Sequence, residues 1–176
     1  MRHGPPPAAP RAATSPASRE RFSASPLVIG VGNDDRGDDG VGLSVARMLM
    51  RRAPAYLRVA QSDGEATALM HQIAAAQHVW VIDAAHSGAP PGTIHRIDCA
   101  AGNAIVPRGT VSSHGLGVAE SIGLARALGV LPPHCIVYAI EAADFTPGAA
   151  PSPAVTRAAH EVADRILAEL ATLPPP

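Results

Sequence analysis

The sequence contains no lysine, because all 14 of its basic residues are arginine. This absence excludes the Schiff-base chemistry of a lysine amine and the phosphate-binding loop that ends in Gly-Lys. Aromatic residues make up only 3% of the 176 residues, so the core has to be built from Ala, Val, Leu and Ile. Basic residues are balanced by 15 acidic ones, and a net charge of −1 argues against a nucleic-acid-binding surface.

Cysteines and long apolar runs are also scarce. Cys99 and Cys135 have no Cys-x-x-Cys spacing, which excludes a zinc site built from cysteine alone and a disulfide scaffold. No apolar run approaches the roughly 20 residues that a membrane span needs. The N-terminal prolines would break the amphipathic helix of an organelle-targeting segment, and no apolar stretch suits a secretory signal. We therefore predict a soluble, cytoplasmic protein.

Composition divides the chain into three parts. Residues 1–25 are rich in Pro, Ala, Ser and Arg without any period, and we predict a flexible extension there. Residues 26–173 carry periodic apolar patterns, and their length suits a single domain. Residues 174–176 are a proline tail that cannot continue a helix.

Short apolar strands alternate with helical stripes throughout the middle part. Helices are indicated by apolar positions that begin at Val41, Leu69, Val118 and Val155. This alternation predicts an α/β three-layer sandwich, in which a mostly parallel central sheet has helices on both faces. The predicted strands are Leu27–Gly32, Leu57–Ala60, His78–Ala84, Thr93–Asp98 and Cys135–Ile140.

A glycine-rich, acidic loop follows the first strand, at residues 32–40. A dinucleotide loop would need a third glycine where Asp35 stands, and four acids in this loop would repel a pyrophosphate. A purely structural interpretation is that Asp38 caps the next helix and that Asp39 interacts favourably with its dipole.

Two further polar clusters stand at strand ends or helix starts. Asp83 ends the most apolar strand, at the rim where α/β sheets bind ligands, and His86 follows in the next loop. Ser112, Ser113 and His114 come directly before a helix, where a neutral imidazole is better placed than a charged one. A Ser/His/Asp triad could be assembled from these residues, but the G-x-S-x-G turn that usually carries such a serine is missing.

One carboxylate of the acidic loop, Asp83 and His114 together would make a partial metal shell. Two carboxylates and one imidazole suit a borderline divalent ion such as Ni²⁺ or Zn²⁺, with positions left open for water or a substrate ligand. The spacing of these residues alone does not identify a metal or a function.

The same loops resemble the successive signatures of the NiFe-hydrogenase maturation proteases. The resemblance covers about residues 27–170 and excludes the N-terminal 25 residues. Its motifs, in order, are G-V-G-N-D-D-R-G-D-D-G-V-G, V-I-D-A-A-H-S-G-A-P-P-G-T, S-S-H-G-L-G, Y-A-I-E-A-A-D-F-T-P-G and S-P-A-V.

This resemblance implies a single α/β domain that removes a short C-terminal peptide from the precursor of the hydrogenase large subunit after nickel insertion. It places the metal contacts, and the residues required for cleavage, on Asp39, Asp83 and His114. The nickel would arrive with the substrate and be bridged transiently, and no organic cofactor is expected. Neither cysteine matches a signature of the family, whereas His86 is an additional imidazole that could join the metal site.

Alternative functions remain open at the level of sequence. The same three ligands would serve a nickel-sensing chaperone that holds the precursor without cleaving it. A phosphorylase or another hydrolase could share the fold, and Arg36, Arg96 and Arg108 would then have to converge on a phosphate. We expect substrate specificity to lie in loops such as 84–92 and 99–113.

Overall fold

The computed structural model describes residues 25–101 and 117–174. These residues form alternating strands and helices, with one 3₁₀ turn at Gly37–Gly40. The strands are β1 (Leu27–Val31), β2 (Arg58–Ser62), β3 (His78–Ala85), β4 (Ile94–Asp98) and β5 (His134–Glu141). The helices are α1 (Val41–Arg52), α2 (Ala66–Ile73), α3 (Gly117–Ala127) and α4 (Pro153–Ala171).

The five strands of the described part form one sheet in the order β2-β1-β3-β5-β4. All neighbouring strands are parallel except β4, which runs antiparallel to β5 at one edge. The chain leaves β1 toward β2 on one side, and β3 then returns to the other side of β1. The boundary between β1 and β3 is therefore the switch point of the sheet, where α/β folds open a crevice for ligands.

Helices cover both faces of the sheet, which confirms the predicted three-layer α/β sandwich. On one face, α1 and α4 bury Val45, Leu49, Val162 and Ile166 against the strands. On the other face, α2 and α3 contribute to a second core cluster, with Leu69, Ile73, Val118 and Ile122. Strands covered on both faces are apolar throughout, and β1 is buried along its whole length.

Close contact between α1 and the sheet depends on two glycines. A Cβ atom on Gly42 would lie 2.3 Å from the carbonyl oxygens of both Val31 and Ile82. A Cβ atom on Gly30 would lie 2.2 Å from the carbonyl oxygen of Gly42. The first turn of α1 therefore rests directly on the ends of β1 and β3, which brings the acidic loop before it over the switch point.

The observed elements differ from the predicted ones at several ends. The second strand begins one residue later than predicted and extends to Ser62, because it is an edge strand whose partial exposure weakens its apolar pattern. The fifth strand continues through Glu141, a buried acid that the apolar pattern excluded. Leu128, an apolar residue that continues the helical spacing of α3, lies beyond the end of the helix and is 58% exposed.

Some predictions concern residues that the structure does not describe. The predicted extension falls on residues 1–24 and on Ser25, and of these only Ser25 is described. Within the described ranges, no helix combines the length and apolar character needed to cross a membrane.

Candidate functional site

Two of the three predicted metal ligands lie at the switch point of the sheet. Asp39 sits on the 3₁₀ turn that follows β1, and its side chain is fully buried. Asp83 lies near the carboxyl end of the neighbouring strand β3 and is 5% exposed. The 3₁₀ turn contacts β3 and the charge of Asp39 acts on Asp83, so the two carboxyl groups lie near each other at the switch point.

The charge of Asp39 acts on the carboxyl group of Asp83. Burial, with an added contribution from the charge of Asp39, raises the pKa of Asp83 to about 8, although the amide of Ala84 donates a hydrogen bond that acts in the opposite direction. Two buried acids at one point repel each other when both are ionised. A divalent cation between them would remove that repulsion, so the donor set suits a metal ion that arrives from outside.

Asp38 has a structural role that differs from the predicted helix cap. Neither the 3₁₀ turn nor α1 has a side-chain cap at its start. Instead, the carboxylate of Asp38 accepts backbone N–H bonds from Ala143, Asp144 and Ser152, at 3.0, 3.1 and 2.6 Å. Asp38 thus fixes the segment between β5 and α4.

Asp34, the first acid of the loop, forms an ion pair with a side chain of the helix that follows. Its two oxygens accept hydrogen bonds from the guanidinium of Arg47 on α1, at 2.6 and 2.8 Å. This exposed pair anchors the acidic loop to the helix that follows it. The guanidinium of Arg47 therefore neutralises part of the negative charge of the acidic loop.

The predicted imidazole ligand, His114, lies in residues 102–116, outside the described part of the chain, as do Ser112 and Ser113. Within the described part, no group of three His, Cys, Asp or Glu side chains is arranged to hold a metal ion. His86 is exposed and lies edge-on to the ring of Phe145, with 5.9 Å between ring centroids.

The two cysteines lie away from the acidic pair. Cys99 and Cys135 are buried next to each other at the start of β5, the opposite end of the sheet from Asp83. A hydrogen bond between the thiols lowers the pKa of Cys99 and raises the pKa of Cys135. Their burial fits a role in the core of the domain.

Glu141 is a buried acid at the site that the sequence analysis did not single out. It ends β5, directly beside Ala85 of β3, and is 1% exposed. Its carboxylate accepts hydrogen bonds from the hydroxyl and the amide of Ser87 and lies 3.0 Å from Nε2 of His95. The signal that identified Asp83, an acid at the end of a buried strand, would also have identified Glu141.

Together these features describe an α/β sandwich with two buried acids at the switch point of its sheet. Residues 44–169 match the sequence profile of the family described as hydrogenase maturation protease. The chain belongs to this family.

Individual relatives agree with that assignment. The hydrogenase expression/formation protein HupD of Thiocapsa roseopersicina is 29% identical over 117 residues, which cover 65% of this chain and 53% of that protein. The hydrogenase maturating endopeptidase HybD of Escherichia coli superposes with a TM-score of 0.67 at 25% identity, over 82% of this chain and 91% of that one. A further Escherichia coli endopeptidase, 22% identical, shares the fold with a TM-score of 0.70, over 82% and 91% of the two chains. The chain spans about half the length of the curated relatives it matches.

Proposed function

We propose that the protein is a processing endopeptidase, which removes a C-terminal extension from the precursor of a NiFe-hydrogenase large subunit. The proposal rests on family membership and on the buried acidic pair at the switch point. Hydrolysis would add one water across the peptide bond, so that the mature subunit gains a new C-terminal carboxylate and the released peptide a new amine.

The observation that carries the proposal is the pairing of Asp39 with Asp83. Both side chains are buried, where carboxyl groups are rare in proteins, and burial together with the charge of Asp39 raises the pKa of Asp83 to about 8. Such an arrangement costs stability in the folded chain, and a metal ion would offset that cost. A pair that serves only the fold would be better replaced by apolar residues.

Nickel carried by the substrate is the metal we propose for this pair. Two carboxylates and the imidazole of His114 leave coordination positions open, which substrate thiolates around a nickel ion could fill. Asp39 and Asp83 would then orient the precursor, because the scissile peptide bond is held at a fixed place relative to the metal. A carboxylate freed of its proton by the metal would also be able to activate the attacking water.

Intact mass spectrometry of a nickel-loaded hydrogenase large-subunit precursor, with and without this protein, tests the proposal. We expect the loss of one C-terminal peptide in the presence of both nickel and the protein, and no loss from the nickel-free precursor. Loss of the peptide without nickel would contradict the role assigned to the metal.

An unchanged precursor mass, with nickel content verified, would contradict the endopeptidase. Co-elution of the protein with the nickel-loaded precursor would in that case identify the nickel-sensing chaperone instead. The phosphorylase alternative has less structural support, since Arg96 donates a hydrogen bond to Glu169 of α4 at 2.8 Å. Thermal stabilisation by inorganic phosphate would be its signature.

A further inference from the structure

The loop between β3 and β4 borders the acidic pair. Residues 86–93, here named the rim loop, begin three residues after Asp83 and end at the start of β4. Most of the rim loop is exposed, and its tip at Gly88 has open space around it. Loops of this kind at the carboxyl ends of parallel strands are where α/β proteins contact their ligands.

Glu141 binds the rim loop through its main chain at the far end of the loop. Its amide donates a hydrogen bond to the carbonyl of Thr93 at 2.9 Å, and its carbonyl accepts one from the amide of Gly92 at 2.8 Å. The next amide, that of Ala142, donates to the carbonyl of Ala85 at 2.8 Å, just before the loop begins. The rim loop is therefore held at both of its ends by two successive residues.

The side chain of Glu141 binds the beginning of the rim loop. Oε2 accepts the amide of Ser87 at 3.0 Å, and Oε1 accepts the hydroxyl of the same serine. His95 of β4 contacts Oε1 through Nε2 at 3.0 Å. Burial alone would raise the pKa of Glu141, but these hydrogen bonds from Ser87 and His95 lower it, which keeps the carboxylate ionised.

Burying the carboxylate of Glu141 at the end of β5 carries a cost in desolvation free energy. An apolar residue at position 141 would complete the core of β5 without any desolvation cost. A carboxylate with several hydrogen bonds instead fixes the geometry of its partners, which is what a binding loop needs. The rim loop is further held by His86, whose ring meets Phe145 in the segment that Asp38 fixes.

We propose that Glu141 is a positioning residue, which holds the rim loop in the conformation that binds the precursor polypeptide. Ser87 is the residue through which it acts, and the exposed tip of the loop makes the contact with the polypeptide. The inference rests on the proposed function and deepens it, because it assigns substrate binding to a loop and to the carboxylate behind that loop.

Steady-state cleavage of the nickel-loaded precursor by Ser87→Ala tests the inference. Ser87 is exposed, so the variant should fold, and the loss of one hydrogen bond to a carboxylate should raise KM about tenfold while kcat stays within about twofold. Ser87→Thr keeps the hydroxyl and should restore KM. Thr172→Ala removes a comparable hydroxyl hydrogen bond at the end of α4 and serves as the matched control. Glu141→Gln should raise KM at least as much as Ser87→Ala.

Hydrogen exchange of residues 86–93 supplies a second readout, independent of activity. We expect faster exchange in Ser87→Ala than in the parent chain and in Thr172→Ala. Unchanged KM in Ser87→Ala, or a fall in kcat alone, would overturn the inference. If the parent chain cleaves nothing, the proposed function fails separately. The affinity of the parent and of Ser87→Ala for the precursor then decides the inference, and equal affinities would overturn it.

Discussion

Neighbouring acids in the loop after β1 have different physical roles. Asp34 forms an exposed pair with Arg47, Asp38 accepts three backbone hydrogen bonds, and Asp39 is buried beside Asp83. Sequence identifies these residues as a cluster but does not assign the roles, because the partners of Asp38 lie more than 100 positions further along the chain. The metal-ligand hypothesis therefore needs a test that separates one acid from the next.

Asp38→Asn should destabilise the chain strongly. The amide group of asparagine would direct donor hydrogens at the backbone N–H groups of Ala143, Asp144 or Ser152, and at least one of these would lose its acceptor. We expect a loss of about 3 kcal/mol in the free energy of unfolding, measured by urea denaturation. Asp35→Asn, an exposed change in the same loop, should cost less than about 0.5 kcal/mol. Equal midpoints for the two variants would contradict the assigned role.

At the scale of elements, the alternation of strands and helices was enough to predict the three layers. The central strands β1 and β3 are apolar on both faces, so their patterns are strong. The edge strand β2 is half exposed, so its ends were placed less well. The strand order was not predictable, since it depends on which strands meet across the sheet. The switch point, and with it the proximity of Asp39 and Asp83, therefore needed the structure.

The close packing of α1 on the sheet predicts opposite effects on stability for two glycine-to-alanine substitutions. Gly42→Ala would place a methyl group 2.3 Å from two carbonyl oxygens of the sheet, so we expect a loss of at least about 3 kcal/mol in unfolding free energy. Gly123→Ala, on the exposed side of α3 with open space around it, should instead stabilise the chain by about 0.5–1 kcal/mol. No loss of unfolding free energy in either variant would contradict the close approach of α1 to the sheet.

The amino ends of β3 and β5 carry a stacked pair of imidazoles. The rings of His78 and His134 lie 4.4 Å apart, and burial together with the charge of His134 lowers the pKa of His78 below 6.5. The unfolded chain then takes up a proton at His78 more readily than the folded chain, so stability falls as the pH drops below about 6.5.

His78→Gln should reduce that acid sensitivity. Melting temperatures measured between pH 7.5 and pH 5.5 should fall less steeply in His78→Gln than in the parent chain. His160→Gln, which changes an exposed imidazole on α4, should keep the parental slope. Parallel slopes for His78→Gln and the parent would show that this pair does not govern the response.

In the whole molecule, the first two sequence motifs of the family lie next to each other, in the loop after β1 and at the end of β3, on the two sides of the switch point. The fold brings an acid of the turn after β1 together with an acid of β3, and the loops nearby are fixed by Asp38 and Glu141. Sequence located both acids of the pair and Asp38, but neither the hydrogen-bond partners of Asp38 nor Glu141. Those supporting acids are recognised by their hydrogen bonds, which no local pattern encodes.

The most direct test of the account is cleavage of the nickel-loaded precursor by Asp39→Asn and Asp83→Asn, with Asp35→Asn as the matched control. Intact mass spectrometry would give the rate of peptide loss for each variant. We expect a loss of at least about 100-fold in rate for the two buried positions, because the proposed contact with the substrate's nickel would be removed, and a parental rate for Asp35→Asn. Parental rates for Asp39→Asn and Asp83→Asn would contradict the role of the acidic pair.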